Sequence, residues 1–168
     1  MTPSSVLMVT PRWTRDGGVA AHVKVSAAAL AEHGVKVSVL AAKVDTEEPV
    51  PGVRMIERPE LFAGGSSVEE RCGEALTPAP DIIHLHQVDD PEIAAGLGRV
   101  APLVVSAHGY TACTSGVYYF RPGHECTRSH GPGCVPNLLL RGCAHTRYPK
   151  TLPRKYGAAT RGRAALEH

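Results

Sequence analysis

The chain has 168 residues, of which 43% are hydrophobic and 20% charged, and its net charge at pH 7 is +2. This length is enough for one domain with a sizeable core, and this balance excludes a disordered tail. The longest apolar runs, such as Val37–Ala42, are too short to span a bilayer, which argues against a membrane protein. Aromatic residues make up only 5%, and the bias towards alanine and valine favours a buried parallel sheet covered by helices.

The small net charge hides two blocks of opposite sign. Residues 1–108 hold nine Lys and Arg against fourteen Asp and Glu, a net charge of −5. Residues 109–168 hold nine Lys and Arg but only two acidic residues, Glu125 and Glu167, a net charge of +7. We therefore expect the acidic block and the basic, Cys- and His-rich block to do different work.

The first block opens with a strand and a helix. Ser5–Thr10 is a continuous apolar run rich in valine, which predicts a buried strand, and a loop follows it. Helical spacing begins at Gly18, where Asp16 just ahead is expected to cap the helix and Gly34 to end it. The apolar stripe of this helix consists of Val19, Val23, Ala27 and Leu30.

Strands and helices continue to alternate down to residue 107. Ser67 and Glu70 form a capping-box pattern at the start of the second helix. The alternation predicts βαβ units, and the fold class is α/β: a Rossmann-like three-layer domain with a mainly parallel sheet. The further strands are predicted at Val35–Ala41, Gly52–Glu57, Asp81–His86 and Pro102–Ala107, and the helices at Ser66–Leu76 and Pro91–Leu97.

We expect residues 1–165 to form a single domain in which 109–146 is an irregular insertion rich in Cys, His and basic residues. The first residues show neither the charged nor the apolar region of a secretory signal, so a cytoplasmic location is expected. Leu166–His168 matches the start of a vector-encoded histidine tag and is excluded from functional reasoning.

Ligands of parallel α/β sheets bind beyond the carboxyl ends of the strands, and the first such place here is a glycine turn. Gly17 and Gly18 let the backbone approach a ligand closely, and the free N–H groups of a helix start attract a phosphate or carboxylate. The alternative is an ordinary strand–helix turn, since the third glycine of the dinucleotide-binding fingerprint is missing.

The second place is the end of the fourth strand. Alternation puts His84 and His86 on the same side of that strand, where two imidazoles can bind a metal. Only Asp89 and Asp90 lie near enough in sequence to add a third ligand. The pattern therefore favours one buried, hydrogen-bonded histidine and one histidine at the strand end.

The third place is His108, which ends the fifth strand and is followed by a glycine. Its imidazole is positioned to donate a hydrogen bond to a hydroxyl or phosphate, or to move a proton near neutral pH. The alternative is a polar residue that merely ends a strand.

Four cysteines lie in the basic block without the close spacing of a zinc knuckle. Three interpretations stay open: unlinked thiols, a structural zinc site, or disulfides. The basic side chains around them face either solvent or an anionic partner such as phosphate or lipid head groups, and no RNA-binding stacking motif accompanies them. These cysteines are Cys113, Cys126, Cys134 and Cys143.

Three segments carry motifs in a characteristic order over about residues 5–110. They resemble the N-terminal half of family 4 glycosyltransferases, which have the GT-B fold of two Rossmann-like domains around a cleft. The motifs are Gly17-Gly18-Val19 with His22-Val23 and Gly34–Val37, then Pro80–His86 (PDIIHLH), then Val104–Gly109 (VVSAHG).

The resemblance implies that the chain is the N-terminal, acceptor-side domain of a retaining enzyme that transfers a hexose from a nucleotide-diphosphate sugar to a hydroxyl. It places Gly17 and Gly18 against the diphosphate and His108 beside the donor sugar, with His86 and Tyr110 as acceptor-side candidates. No cofactor is required, and the acceptor is a lipid, saccharide or metabolite, with peripheral membrane contact if it is a lipid. The C-terminal donor-binding domain is not in this sequence, so the chain alone is expected to be inactive.

The chain also departs from the family pattern. His33 precedes Gly34 where the family more often has Gly-His, and Gly109 stands where the residue after the histidine is commonly Asp. The alternative function is a non-catalytic Rossmann-like binding module whose basic lobe is held together by a metal.

Overall fold

The computed structural model describes residues 3–45, 49–62, 66–88, 90–108, 119–121, 124–126, 131–140, 153, 156–157 and 159–160. The chain divides into two compact units. The first comprises Met1–Val88 and Glu92–His108, and the second comprises Asp89–Pro91 and Gly109–His168. The change between the units at residue 108 coincides with the change in charge along the sequence.

The first unit is built on a parallel sheet that has five strands among the described residues, in the order β3-β2-β1-β4-β5. From β1 the chain adds β2 and β3 on one side and then β4 and β5 on the other. The carboxyl ends of β1 and β4, where the chain changes sides, therefore border the crevice where ligands of such sheets bind. The strands are β1 (Ser5–Trp13), β2 (Lys36–Val44), β3 (Val53–Glu57), β4 (Ile82–His86) and β5 (Leu103–Ser106).

Helices cover both faces of the sheet, which makes the three layers of a Rossmann-like α/β fold. On one face, Val23 and Ala27 of the first helix pack against buried side chains such as Met8 and Val39. On the other face, the second and third helices pack against β1, β2 and β4, as alternation along each strand requires. The helices are α1 (Gly18–Glu32), α2 (Val68–Cys72) and α3 (Pro91–Gly98), with short 3-10 helices at Pro59–Phe62 and Gly73–Leu76.

The fold class and the order of strands and helices are confirmed, and local details of β1, α1 and α2 differ from the prediction. β1 runs on through Pro11 to Trp13, where a loop was expected, and Trp13 is fully buried. The residue that caps α1 is Gly17, with no side-chain hydrogen bond, so the prediction that Asp16 caps this helix is wrong. The capping box of Ser67 and Glu70 is present, but only one and a half turns of α-helix follow it before a 3-10 turn.

The second unit contains a short antiparallel pair and a helix among its described residues. The pair joins β6 (Tyr119–Arg121) to β7 (His124–Glu125), and α4 spans Cys134–Leu140. None of the described helices in either unit has both the length and the apolar character that a bilayer crossing requires.

Candidate functional site at the carboxyl edge of the sheet

The turn between β1 and α1 depends on a glycine. Gly17 has φ 126° and ψ 141°, a conformation that residues with a Cβ rarely adopt. Its carbonyl accepts the first hydrogen bond of α1, from the Ala21 N–H at 2.9 Å. A Cβ added at Gly18 would meet no atom within 4 Å, so the first residue of the helix faces open space. The turn therefore offers the close backbone approach that the sequence predicted.

Three histidines from neighbouring strands meet at the same edge. His84 and His86 lie on one side of β4, and β5 runs alongside them with His86 paired to Ser106. The Nε2 of His84 hydrogen-bonds the hydroxyl of Ser106 at 2.8 Å. The Nδ1 of His86 hydrogen-bonds the Nε2 of His108 at 3.0 Å, one nitrogen donating and the other accepting. The structure thus brings His86 and His108 into direct contact.

A fourth histidine reaches this group from the helix above it. His22 lies on α1, one helical turn after Gly18, and its side chain is exposed. Its ring centroid lies 5.1 Å from that of His108 and 5.5 Å from that of His86. In the sequence, His22 belongs to a family-like motif, and the pattern predicts no role for it. The available signal was its position one turn beyond a glycine that begins a helix at the ligand-binding edge.

Burial favours the neutral form of His84, His86 and His108. His86 is fully buried, and burial followed by the neighbouring rings lowers its pKa to about 3. The pKa of His84 is lowered by burial and then by His22 and His108, and the pKa of His108 is lowered by burial and then by His22. A neutral imidazole keeps one nitrogen lone pair, so each ring is able to accept a hydrogen bond or bind a metal.

One nitrogen of this group is unsatisfied. The Nε2 of His86 is buried and has no hydrogen-bond partner among the residues that the structure describes. Such an atom in the middle of a polar cluster needs a physical explanation, and an ion is one of the usual ones. Within the described residues, the group of side chains arranged to hold a metal ion is His22, His86 and His108.

The remaining predicted site residues are a tyrosine and four cysteines, of which the structure describes two. Tyr110, Cys113 and Cys143 lie outside the described residues. Cys126 and Cys134 are half-buried free thiols, so neither forms a disulfide, and neither belongs to the metal-capable group. A structural zinc site in the basic segment therefore stays a prediction.

A different concave surface lies at the opposite edge of the sheet. A cavity of about 520 Å³ is lined there by the first residues of β1, β2 and β3 and by the loop before β4. It carries the cations Lys36 and Arg54, the second of which is ion-paired to Glu74 at 3.7 Å. This cavity offers an alternative location for an anionic ligand.

Comparisons with known proteins identify no related protein. A scan against models of protein families, a search of curated proteins and a search of solved structures each find no match to this chain. The function proposed below therefore depends on the chain's own sequence and geometry.

Proposed function

We propose that the chain is the N-terminal, acceptor-side half of a retaining glycosyltransferase that moves a hexose from a nucleotide-diphosphate sugar to a hydroxyl acceptor. The observation that carries the proposal is that each of the three family-like motifs contributes residues to one place. Gly18 and His22 are separated by one helical turn, about 6 Å of helix rise. His22 in turn lies against both His86 and His108, so the glycine turn and the two strand ends share one edge.

Each part of this edge has a role in the proposed transfer. The N–H groups at Gly17 and Gly18 face the diphosphate, which carries the negative charge of the donor. His108 lies beside the donor sugar and donates a hydrogen bond that positions it for transfer, while His86 fixes the ring of His108 from below. A second Rossmann-like half in cis supplies the remaining contacts with the nucleotide.

The first unit and the basic second block have separate tasks in this proposal. The acidic first unit is the scaffold that holds the donor-facing edge. The block of residues 109–168, with its net charge of +7, contacts the acceptor, which then carries phosphate or lies at an anionic membrane surface. The location that fits this task is cytoplasmic, with peripheral contact to the membrane when the acceptor is a lipid.

The test uses the protein produced from its complete reading frame and measures release of nucleoside diphosphate from a panel of nucleotide sugars in the presence of hydroxyl acceptors. His108→Ala is expected to lower turnover by about 100-fold or more, because a positioned hydrogen-bond donor is lost where charge develops. The circular dichroism spectrum should not change, since His108 lies two residues after β5 and outside every described helix and strand.

The matched control is His33→Ala, which removes an exposed imidazole at the other end of α1, where its Nδ1 hydrogen-bonds the Ala29 carbonyl. This variant should turn over normally. Normal turnover in His108→Ala would remove that residue from the mechanism, and no release from any nucleotide sugar would contradict the proposed class of enzyme.

A further inference from the structure

Three imidazoles from three different elements converge at the carboxyl edge of the sheet. They are His22 of α1, His86 of β4 and His108 just after β5, and one nitrogen of each lies within 4.8 Å of the others. We propose that these three histidines bind one divalent transition-metal ion of the zinc class. The proposal concerns these side chains alone and holds whether or not the chain transfers sugar.

The ring positions already approach those of a tetrahedral metal site. A zinc–nitrogen bond of about 2.0–2.1 Å places three ligand nitrogens about 3.3 Å apart and the centres of their rings about 5.2 Å apart. The centroids of His22, His86 and His108 are separated by 5.1, 5.3 and 5.5 Å. The nitrogens of His86 and His108 are 3.0 Å apart, close to the spacing that a shared metal requires.

The remaining adjustment falls on the side chain that moves most easily. The widest nitrogen separation, up to 4.8 Å, exceeds the tetrahedral spacing by more than 1 Å. His22 is exposed on α1, so rotation about its side-chain bonds closes this gap without disturbing the core. His86 is fixed by burial and His108 by its hydrogen bond to His86, so two of the three ligands are preorganised.

The contact between His86 and His108 identifies the nitrogens that face the proposed ion, which are Nδ1 of His86 and Nε2 of His108. A neutral imidazole carries one N–H and one lone pair, and the hydrogen bond to His108 uses only Nδ1. The buried Nε2 has no partner among the described side chains and backbone groups. Coordination through Nδ1 replaces the hydrogen bond to His108, and Nε2, which points away from His108, takes no part in it.

The donor set selects the class of metal. Three neutral nitrogen ligands suit zinc and its neighbours cobalt, nickel and copper, whereas magnesium and calcium prefer oxygen ligands. Three histidines leave a fourth position of a tetrahedral ion for water or for an oxygen of a bound anion. The glycine turn ends at Gly18, one helical turn before His22, so its free N–H groups lie at the same edge of the sheet.

The test measures zinc binding by the purified chain after its reactive thiols have been alkylated under native conditions, so that cysteine sites do not contribute. Competition with a chromophoric chelator should show one equivalent of Zn²⁺ bound. The Co²⁺-loaded protein should show the visible bands of a tetrahedral site without thiolate-to-cobalt charge transfer. His22→Ala should weaken zinc binding by at least about 100-fold, because a direct ligand is lost.

His22 is chosen because it is exposed, so its replacement by alanine leaves the fold intact. The matched control is His33→Ala at the C-terminal end of α1, an exposed position that should leave zinc binding like that of the unsubstituted chain. The proposal is overturned if the alkylated chain binds no zinc, or if His22→Ala binds zinc as tightly as His33→Ala does. Failure of this test leaves sugar transfer untouched, because that activity is measured separately with His108→Ala.

Discussion

At the scale of single residues, Gly17 has the most restrictive backbone conformation in the described segment from β1 to α1. Its φ of 126° combined with ψ of 141° belongs to a region that glycine alone adopts without strain. Gly18, the next residue, has an ordinary helical conformation and open space around its Cα. The backbone at position 17 therefore requires glycine and the backbone at position 18 does not, although the two glycines are adjacent in the sequence.

Gly17→Ala should lower the free energy of unfolding by about 1–3 kcal/mol, because the added Cβ strains the backbone at this position. Gly18→Ala adds the same methyl group one residue later and should change stability little, or increase it slightly through a lower entropy of the unfolded chain. Urea denaturation of both variants measures the difference. Equal stabilities for the two would show that the turn does not require its positive φ.

At the scale of elements, one carboxylate ties the starts of β1 and β4 together. A single oxygen of Asp81 accepts hydrogen bonds from the N–H of Ser4 at 2.7 Å, the hydroxyl of Ser4 at 2.7 Å and the N–H of Ser5 at 3.0 Å. The N–H of Asp81 returns a bond to the hydroxyl of Ser5 at 2.9 Å. These bonds favour the ionised form and lower the pKa of Asp81, with the Ser4 hydroxyl as the largest cause.

Asp81→Asn should therefore make stability less dependent on acid pH. The folded pKa lies below the unfolded value, so the stabilisation by ionised Asp81 is complete above the unfolded pKa and is lost as pH falls through the folded pKa. The variant should be less stable than the unsubstituted chain at pH 7, and the two should converge at low pH. Thermal melts from neutral to acid pH measure this, and a gap that stays constant over the whole range would contradict it.

The helices α2 and α3 pack closely because Gly96 of α3 has no side chain. A Cβ added at Gly96 of α3 would lie 2.6 Å from the Cβ of Val68, a buried residue of α2. Gly96→Ala should therefore destabilise the protein by about 1–3 kcal/mol through overpacking. Gly98→Ala, where nothing lies within 4 Å, is the matched control and should be nearly neutral.

The same contact predicts non-additivity that equilibrium unfolding can detect. In the double variant Gly96→Ala with Val68→Ala, loss of the two Cγ atoms removes the contacts at 2.7 and 3.0 Å, while the contact at 2.6 Å with the Cβ remains. The loss of stability of the double variant should be less than the two single losses added together. Additive losses would mean that the two helices separate rather than clash.

Local patterns predicted most of these elements because hydrophobic period and capping residues act within a few positions. The extension of β1 was missed because Pro11 suggests a loop. Beyond Val9, β1 pairs only with β2, and the pairing steps over Pro11 from Thr10 to Arg12, so the missing N–H breaks no ladder bond. The Asp16 cap failed because the turn used the conformational freedom of Gly17 instead.

The candidate site was predictable in part for the same reason. Strand alternation and strand ends identified His86 and His108, because both properties can be read along one segment. His22 was not predictable as their partner, since its approach depends on how α1 packs over the sheet. That packing is set by buried residues such as Val23 and Ala27, far from the strand ends in sequence.

At the scale of the whole molecule, the sign of the net charge and the compact unit to which the chain belongs both change after residue 108. The acidic block ends at His108, where the first compact unit also ends, and the basic block belongs to the second. The last residue of the acidic scaffold is therefore also the proposed donor-facing histidine. The described residues include two candidate places for an anionic ligand: the proposed donor site at the carboxyl edge, with Gly17 and His108, and the amino-edge cavity, with Lys36 and Arg54.

Titration of the isotopically labelled protein from the complete reading frame with nucleotide-diphosphate sugars, followed by NMR chemical shifts, distinguishes these places most directly. We expect the amide signals of Gly17 and Gly18 and the ring signals of His108 to shift together and to saturate at one common ligand concentration. Shifts confined to the residues around Lys36 and Arg54, or no shifts with any nucleotide sugar, would contradict a donor site at the carboxyl edge of the sheet.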